Sequence, residues 1–291
     1  MKPKLLFIGF LCTCMPALAA PLTESTFTEI VKDVNVVAAT TKTAQPAAVN
    51  ELIKAPDLVR TGPQSRAELT AADQTITRVG ANTVFSFEPT GRDINLEKGS
   101  VLFHSPAGKG GGSIRSGGAA AAVLGTTLIV SSTGDGGFKV ILLEGKGTVT
   151  LPNGKTTTLK AGQLVFVLPG QTDFGPVLDI NLAKLVAGSQ LVNGFAHPLP
   201  SAPLIQKAVD NQMAAIARGS VEDTGMPPEI FGKAQTPSKR RSNGVNSIDN
   251  TDYQAAIPPA VAPNQVGLLQ QGDIFPGFQG GSRGVIPISP R

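Results

Sequence analysis

The amino-acid sequence predicts an all-β protein: an antiparallel β-sandwich or roll of about ten short strands, followed by two short helices and a disordered tail. Three observations carry this. Between residues 25 and 177, short apolar or alternating runs rich in Val, Leu, Ile and Thr are broken every ten residues or so by Gly, Asn, Asp or Pro. Helical spacing of apolar residues begins only after Pro176. From 219 to 291 the chain is dominated by Gly, Pro, Asn, Gln and Ser, a composition that buries too little apolar surface to offset the entropy of ordering.

The first element is a leader. Lys2 and Lys4 precede an apolar run from Leu5 through Met15, and Pro16-Ala17-Leu18-Ala19-Ala20 supplies a small-x-small cleavage site at Ala19 and Ala20. The run is shorter than the roughly 20 residues a membrane anchor needs. Residues 1–20 are therefore expected to be a cleaved secretory signal peptide, with the mature chain periplasmic or secreted and without a transmembrane anchor. Thr13 before Cys14 argues against lipidation. Cys12 and Cys14 are the two cysteines of the chain, so cleavage removes every thiol and with it disulfides, thiolate metal sites and cysteine nucleophiles. Twenty-five basic and 21 acidic residues leave +4; loss of Lys2 and Lys4 takes this to +2. So small an excess does not suit nucleic acid as a partner.

The β domain is assigned to 25–177. Runs of strand length are Ile76–Val79, Thr83–Phe87, Val101–Phe103, Thr127–Val130, Phe138–Leu143, Thr148–Leu151 and Leu164–Leu168. Pro152-Asn153-Gly154-Lys155 predicts a hairpin with a type I′ turn, in which Asn-Gly takes positive φ at both centres. Thr133-Gly134-Asp135-Gly136-Gly137 predicts a looser hairpin connection. A helical extension is assigned to 178–218: Asp179 is the expected cap of a helix carrying Ile180, Leu182, Leu185 and Val186. Ser201 is the expected cap of a second, opening on Pro203 and stopping at Gly219. In the tail, 219–291, the run Lys239-Arg240-Arg241 reads as a solvated charge cluster.

Six fragments stand in a telling order. They are Val59-Arg60-Thr61-Gly62-Pro63-Gln64-Ser65-Arg66-Ala67-Glu68-Leu69, Arg78-Val79-Gly80-Ala81-Asn82-Thr83, Leu96-Glu97-Lys98-Gly99-Ser100-Val101, Gly125-Thr126-Thr127-Leu128-Ile129-Val130, Val140-Ile141-Leu142-Leu143-Glu144-Gly145 and Leu159-Lys160-Ala161-Gly162-Gln163. Over roughly residues 30–170 they resemble the extracytoplasmic FecR domain of bacterial envelope proteins. The resemblance marks Thr61, Gly62, Ser65, Arg66, Glu68, Leu69, Gly80, Gly99, Gly125, Thr126, Glu144, Gly145, Ala161, Gly162 and Gln163 as motif residues. Their physical reading is structural. Gly62, Gly99, Gly145 and Gly162 stand where a strand turns or a backbone approaches closely, while Arg66 and Glu68 alternate with Ala67 and Leu69 as exposed with buried positions.

The departures are informative too. Classical members of that family place a cytoplasmic anti-sigma segment and a membrane helix before this domain, whereas here a signal peptide is expected in that position. The family's Asp-Gly-Ser turn is replaced by Ala71-Ala72-Asp73-Gln74, and Ala119-Ala120-Ala121-Ala122 stands in place of a more β-prone run.

No catalytic, cofactor or metal site is expected. Nucleophile-elbow, zincin and EF-hand spacings are absent. His104 and His197 are far apart; His104 reads as a strand-end residue facing solvent and His197 as a loop residue. Ala107–Ser113 lacks phosphate-loop spacing and leads into a β pattern, Ser113-Ile114-Arg115, so it reads as an inter-strand loop. Asp135 and Glu144 lie in a turn and at a strand end, with no second acid placed to split their pKa values. The resemblance then implies a non-catalytic exported module, a binding or signal-relay component of the bacterial envelope whose partner is an envelope protein or ligand. The alternative is a structural or polysaccharide-associated envelope protein, disfavoured by the lack of Trp and a single tyrosine, Tyr253, in the tail.

Overall fold

The computed structural model describes residues 21–221; the expected signal peptide with its cleavage site at Ala19 and Ala20, and the expected disordered tail beyond residue 221, lie outside the described residues. The first strands are β1 (Glu24–Val31), β2 (Val34–Val37), β3 (Ala44–Pro46), β4 (Leu52–Lys54), β5 (Leu58–Thr61) and β6 (Arg66–Thr70). They are followed by β7 (Ile76–Val79), β8 (Val84–Phe87), β9 (Asp93–His104), β10 (Gly112–Ser116), β11 (Ala119–Val123) and β12 (Thr127–Ser132). The last are β13 (Phe138–Glu144), β14 (Lys146–Thr150), β15 (Thr156–Lys160), β16 (Gln163–Val167) and β17 (Leu178–Asp179), and the helices are α1 (Leu182–Gly188), α2 (Gln190–Asn193) and α3 (Ala202–Ala217). All seven strands expected from the sequence are present. The additional ones are mostly the short strands before residue 62 and the pair β10–β11, whose small polar and alanine content gives no apolar run to read.

The strands form two facing layers. One runs β4-β1-β6-β7-β9-β12-β13-β16-β17. The other runs β3-β2-β5-β8-β9-β10-β11-β14-β15. All pairs are antiparallel except β9–β10, which is parallel. The strand β9 belongs to both layers: residues 93–98 pair with β8 and β10, and residues 99–104 with β7 and β12. Gly99, at φ +93°, is the corner where it crosses.

Between the layers lies a core that includes Phe27, Leu69, Phe85, Leu96, Phe103, Val130, Leu142 and Leu159. Each such side chain, fully buried, contributes about 1.5–3 kcal/mol. A second core lies on the outer face of the first layer, where Leu102, Ile129, Ile141 and Leu164 meet Leu182, Leu185, Leu191, Ile205 and Val209 of the helical segment. The architecture is thus sheet, sheet, helices. It explains why β13 reads Phe-Lys-Val-Ile-Leu-Leu-Glu without alternation: the strand is buried on both faces.

Several local details differ from expectation. Hairpin β14–β15 forms, but Leu151 N donates to Lys155 O and Gly154 N to Leu151 O, and only Gly154 of the pair has positive φ, +81°. The connection is a three-residue loop, Pro152-Asn153-Gly154, because Pro152 is locked near the negative φ of a type I turn's first centre and Gly154 takes the left-handed position after it. At Ala71-Ala72-Asp73-Gln74, Gln74 adopts φ +70° and Asp73 Oδ1 accepts from Thr75 N at 3.0 Å, so an Asx-type bond holds the turn without glycine. Ala119–Ala122 is strand after all, with Ala119 and Ala121 inward against the core.

Asp179 does not cap α1. It extends β17, paired with Gln163, and the next polar residue, Asn181, caps the helix by accepting from Lys184 N. A short helix, α2, that had no readable period precedes α3. Ser201 stands at the N-cap of α3 but makes no side-chain bond to that helix, while Gly219 at φ +68° ends it as expected.

Candidate functional site

The chemistry gathers where the helical segment covers the first layer. On β6 the alternation is obeyed: Ala67 and Leu69 are fully buried inward, and Arg66 and Glu68 point the other way. That outer face is not solvent, however. Glu68 is only 8% exposed, which corrects the expectation of an exposed Arg-x-Glu ladder. Arg78, on neighbouring β7, is fully buried; it opens the second of the six fragments but is not among the motif residues that the resemblance marks.

Arg78 Nε lies 2.7 Å from Glu68 Oε2. Its Nη1 donates to the carbonyls of Leu191 (3.2 Å) and Val192 (2.8 Å), and its Nη2 to that of His197 (2.6 Å). Phe195 presents its ring 4.4 Å from the guanidinium carbon. Glu68 Oε1 accepts from Thr28 Oγ1 at 2.9 Å. The flanking Arg66 donates to Gly194 O, and Glu29 Oε2 accepts from Ala196 N at 2.9 Å. Arginine's planar fork of donors suits this task, since it can grip one carboxylate and several carbonyls at once. The result is a latch that ties residues 191–198 to the sheet. Beside it runs a groove of about 380 Å³ lined by Val186, Val192, Phe195, Leu199, Ala202 and Ile205 among others.

A second buried polar group lies under the start of α3. Thr127 Oγ1 is 2.9 Å from His104 Nδ1, 2.8 Å from Glu144 Oε1 and 2.8 Å from Ser201 Oγ. His104 and Glu144 are each 5% exposed, so His104 does not face solvent at its strand end. Helix α3 covers it, and Ser201 spends its hydroxyl on this cluster rather than on its own helix. Burial holds the His104 imidazole below its ordinary pKa. Burial likewise pushes the Glu144 carboxyl up, with hydrogen bonds from Thr127 opposing.

The signs of the two linkages are opposite. As pH falls through about 6.5 the unfolded chain protonates its histidine before the folded chain does, so the stability His104 confers is complete above that value and declines below it. Folded Glu144 keeps its proton to higher pH than the unfolded chain, so its contribution is complete at low pH and is lost as pH rises through its folded value. Melting curves between pH 4 and 8 are expected to show His104→Asn flattening the acid-side loss and Glu144→Gln flattening the loss on the alkaline side of the carboxyl range. Parallel curves for wild type and both variants would refute the assignment.

Besides Arg66, Glu68 and Leu69 on β6, the motif residues divide into three structural groups rather than one pocket. Thr61, Gly62, Ser65, Gly80 and Gly99 form a corner: Thr61 Oγ1 donates to Gly80 O at 2.6 Å, Asp33 N donates to Ser65 Oγ at 3.1 Å, Gly62 N donates to Asp33 O, and Gly80 N to Ser100 O. Gly125, Thr126, Glu144 and Gly145 form another, where a Cβ on Gly145 would collide with Thr126 Cγ2. Ala161, Gly162 and Gln163 turn β15 into β16: Gln163 Oε1 accepts from Lys160 N at 3.0 Å and its Nε2 donates to Asp179 Oδ1 at 3.2 Å. Burial, opposed by Gln163, raises the Asp179 pKa. His197 lies in the loop between α2 and α3 and contributes its carbonyl to Arg78. Among the described residues, no three His, Cys, Asp or Glu side chains are grouped to hold a metal ion, and no helix is long and apolar enough to cross a membrane.

Residues 57–146 match the family model described as FecR protein. Among curated proteins no match is found. Two crystal structures of a candidate anti-sigma factor from Parabacteroides distasonis are similar to the chain. The first has 19% identity and a TM-score of 0.40, over 45% of this chain and 63% of that one. The second has 18% identity and a TM-score of 0.39, over 45% and 64%. The chain thus spans less than two thirds of the length of either.

Proposed function

This chain belongs to the FecR domain family through residues 57–146, and from that premise we propose that it is an exported, non-catalytic binding module that relays or receives a signal in the bacterial cell envelope. The family match is the observation that carries the reading. The leader at residues 1–20 supports the export step. The Arg78–Glu68 latch supports a passive, structural use of the buried charges: both are committed to holding residues 191–198, leaving recognition to the outer faces and edges of the sandwich.

Crosslinking mass spectrometry on intact envelopes of the native host is the test. We expect reproducible crosslinks from this chain to one envelope protein, and a mature N-terminus at the Ala19–Ala20 cleavage site in the exported fraction. Recovery of the chain uncleaved in the cytoplasm, or without a reproducible partner both with and without residues 222–291, would refute the reading. Tight, saturable binding to an envelope polysaccharide instead would favour a scaffold role.

A further inference from the structure

Among the described residues four strands end the two layers: β4 and β17 in one, β3 and β15 in the other. Sheet edges offer unpaired N–H and C=O groups, and proteins blunt them by keeping edge strands short or ending them on proline. Here β3 and β4 have three residues each, β3 closes on Pro46, and β17 has two. The exception is β15, with five residues, Thr156-Thr157-Thr158-Leu159-Lys160.

Its free side can be worked out from the ladder. Leu151 N donates to Lys155 O at the hairpin end, so the bonded pairs continue at Val149–Thr157 and Gly147–Leu159, because antiparallel ladders alternate. The N–H and C=O groups of Thr156 and Thr158 therefore point away from β14, and both residues are exposed. Lys160 N, which points the same way, is already taken by Gln163 Oε1. Among the described residues, two alternate positions of the edge, Thr156 and Thr158, are thus left open to a further strand.

The charge beside this edge is one-sided. Lys146 and Lys160 are directly opposed across β14 and β15, and both are exposed. Like charges so placed disfavour the pair. Asp179, which feels the charge of Lys160, is buried and bonded to Gln163. At the other end Lys155 is matched by Asp173 at 2.5 Å. The unbalanced cationic pair is the one at the Lys146–Lys160 end.

We propose that the outer edge of β15 is a docking edge for an extended acidic segment of a partner protein, added as a strand to Thr156 and Thr158 with a carboxylate beside Lys160 and Lys146. The inference rests on the binding-module reading and names the chemistry of what that module binds. Main-chain bonds supply affinity in such strand addition, and alternate side chains supply selectivity.

The test uses the full chain and two synthetic eight-residue peptides, one alternating valine with glutamate, the other valine with lysine. Amide exchange at Thr156 and Thr158 is expected to slow at least about tenfold with saturating acidic peptide, and to be unchanged by the basic one. Lys146→Glu with Lys160→Glu, which leaves every ladder bond in place, is expected to weaken binding of the acidic peptide about tenfold. Thr158→Pro removes an outward N–H and is expected to abolish the protection. Equal binding of the basic peptide overturns the proposal. So does protection at β3 or β4, no protection at any residue, or concentration-dependent self-association through β15 in the absence of peptide. If envelope crosslinks map away from β14 and β15 while the peptide fails, the edge is wrong and the module reading survives; if no partner crosslinks at all, the module reading fails.

Discussion

Arg78→Ala is expected to lower the unfolding free energy by about 3–5 kcal/mol, the largest single-residue effect among the polar positions. The substitution removes a fully buried charge and leaves three sets of groups without their partner. Glu68 loses the guanidinium 2.7 Å away, the carbonyls of Leu191, Val192 and His197 lose their donors, and Phe195 loses the cation beneath its ring. A buried carboxylate without its partner is far costlier than the pair was favourable. Urea unfolding reads the total. Hydrogen exchange reads the location: amides of residues 182–217 should open more than those of β8 or β11. Arg78→Met with Glu68→Leu should recover part of the loss, since no ion is then left alone, but not all, because the three carbonyls remain without their donors. An unfolding midpoint for Arg78→Ala within error of wild type would eliminate the latch.

Gly99→Ala is expected to be as damaging, by a different route. At φ +93° an L residue is strained, and the added Cβ would stand 2.5 Å from the Thr83 Cα, which is backbone and cannot swing aside. Ser100 N, next in the chain, donates to Thr83 Oγ1 at 3.0 Å, so the corner cannot open without losing that bond. A loss of about 3 kcal/mol or more, or failure to accumulate folded protein, is the expected result. Gly154→Ala is the control. Its φ is +81°, yet nothing lies within 4 Å of the new Cβ, so only the backbone strain of about 1–2 kcal/mol applies. Equal melting temperatures for the two variants would show that the crossing of β9 is not sterically confined.

The two sites were legible to different degrees. Gly99 was marked as a position where a strand turns or a backbone approaches closely, because its need is local. Arg78 was not marked, since nothing in Ile76-Thr77-Arg78-Val79 distinguishes an arginine in water from one under a helix. Its acceptors come from residues 191–197, more than a hundred positions away along the chain. The reading of His104 failed for the same reason: it lies at a strand end, where exposure is the ordinary outcome, and α3 covers it. The turn at Pro152-Asn153-Gly154 was located but mistyped, because Asn-Gly was weighed without the constraint Pro152 places before it.

By itself, then, while the short strands before residue 62 and the pair β10–β11 were not legible, the sequence determined the seven strands with readable apolar runs, the helix that ends at Gly219 and the corner at Gly99. These depend on periods of two and 3.6 residues and on local φ, all of which act within a few positions. Tertiary structure alone decided what covers the opposite face of the first layer. Alternation assigns Glu68, Arg78 and Ile141 to that face, but whether it meets water or a helix depends on where residues 182–217 pack. Their docking turned a polar strand surface into a buried ion pair and left the edge of β15 to solvent.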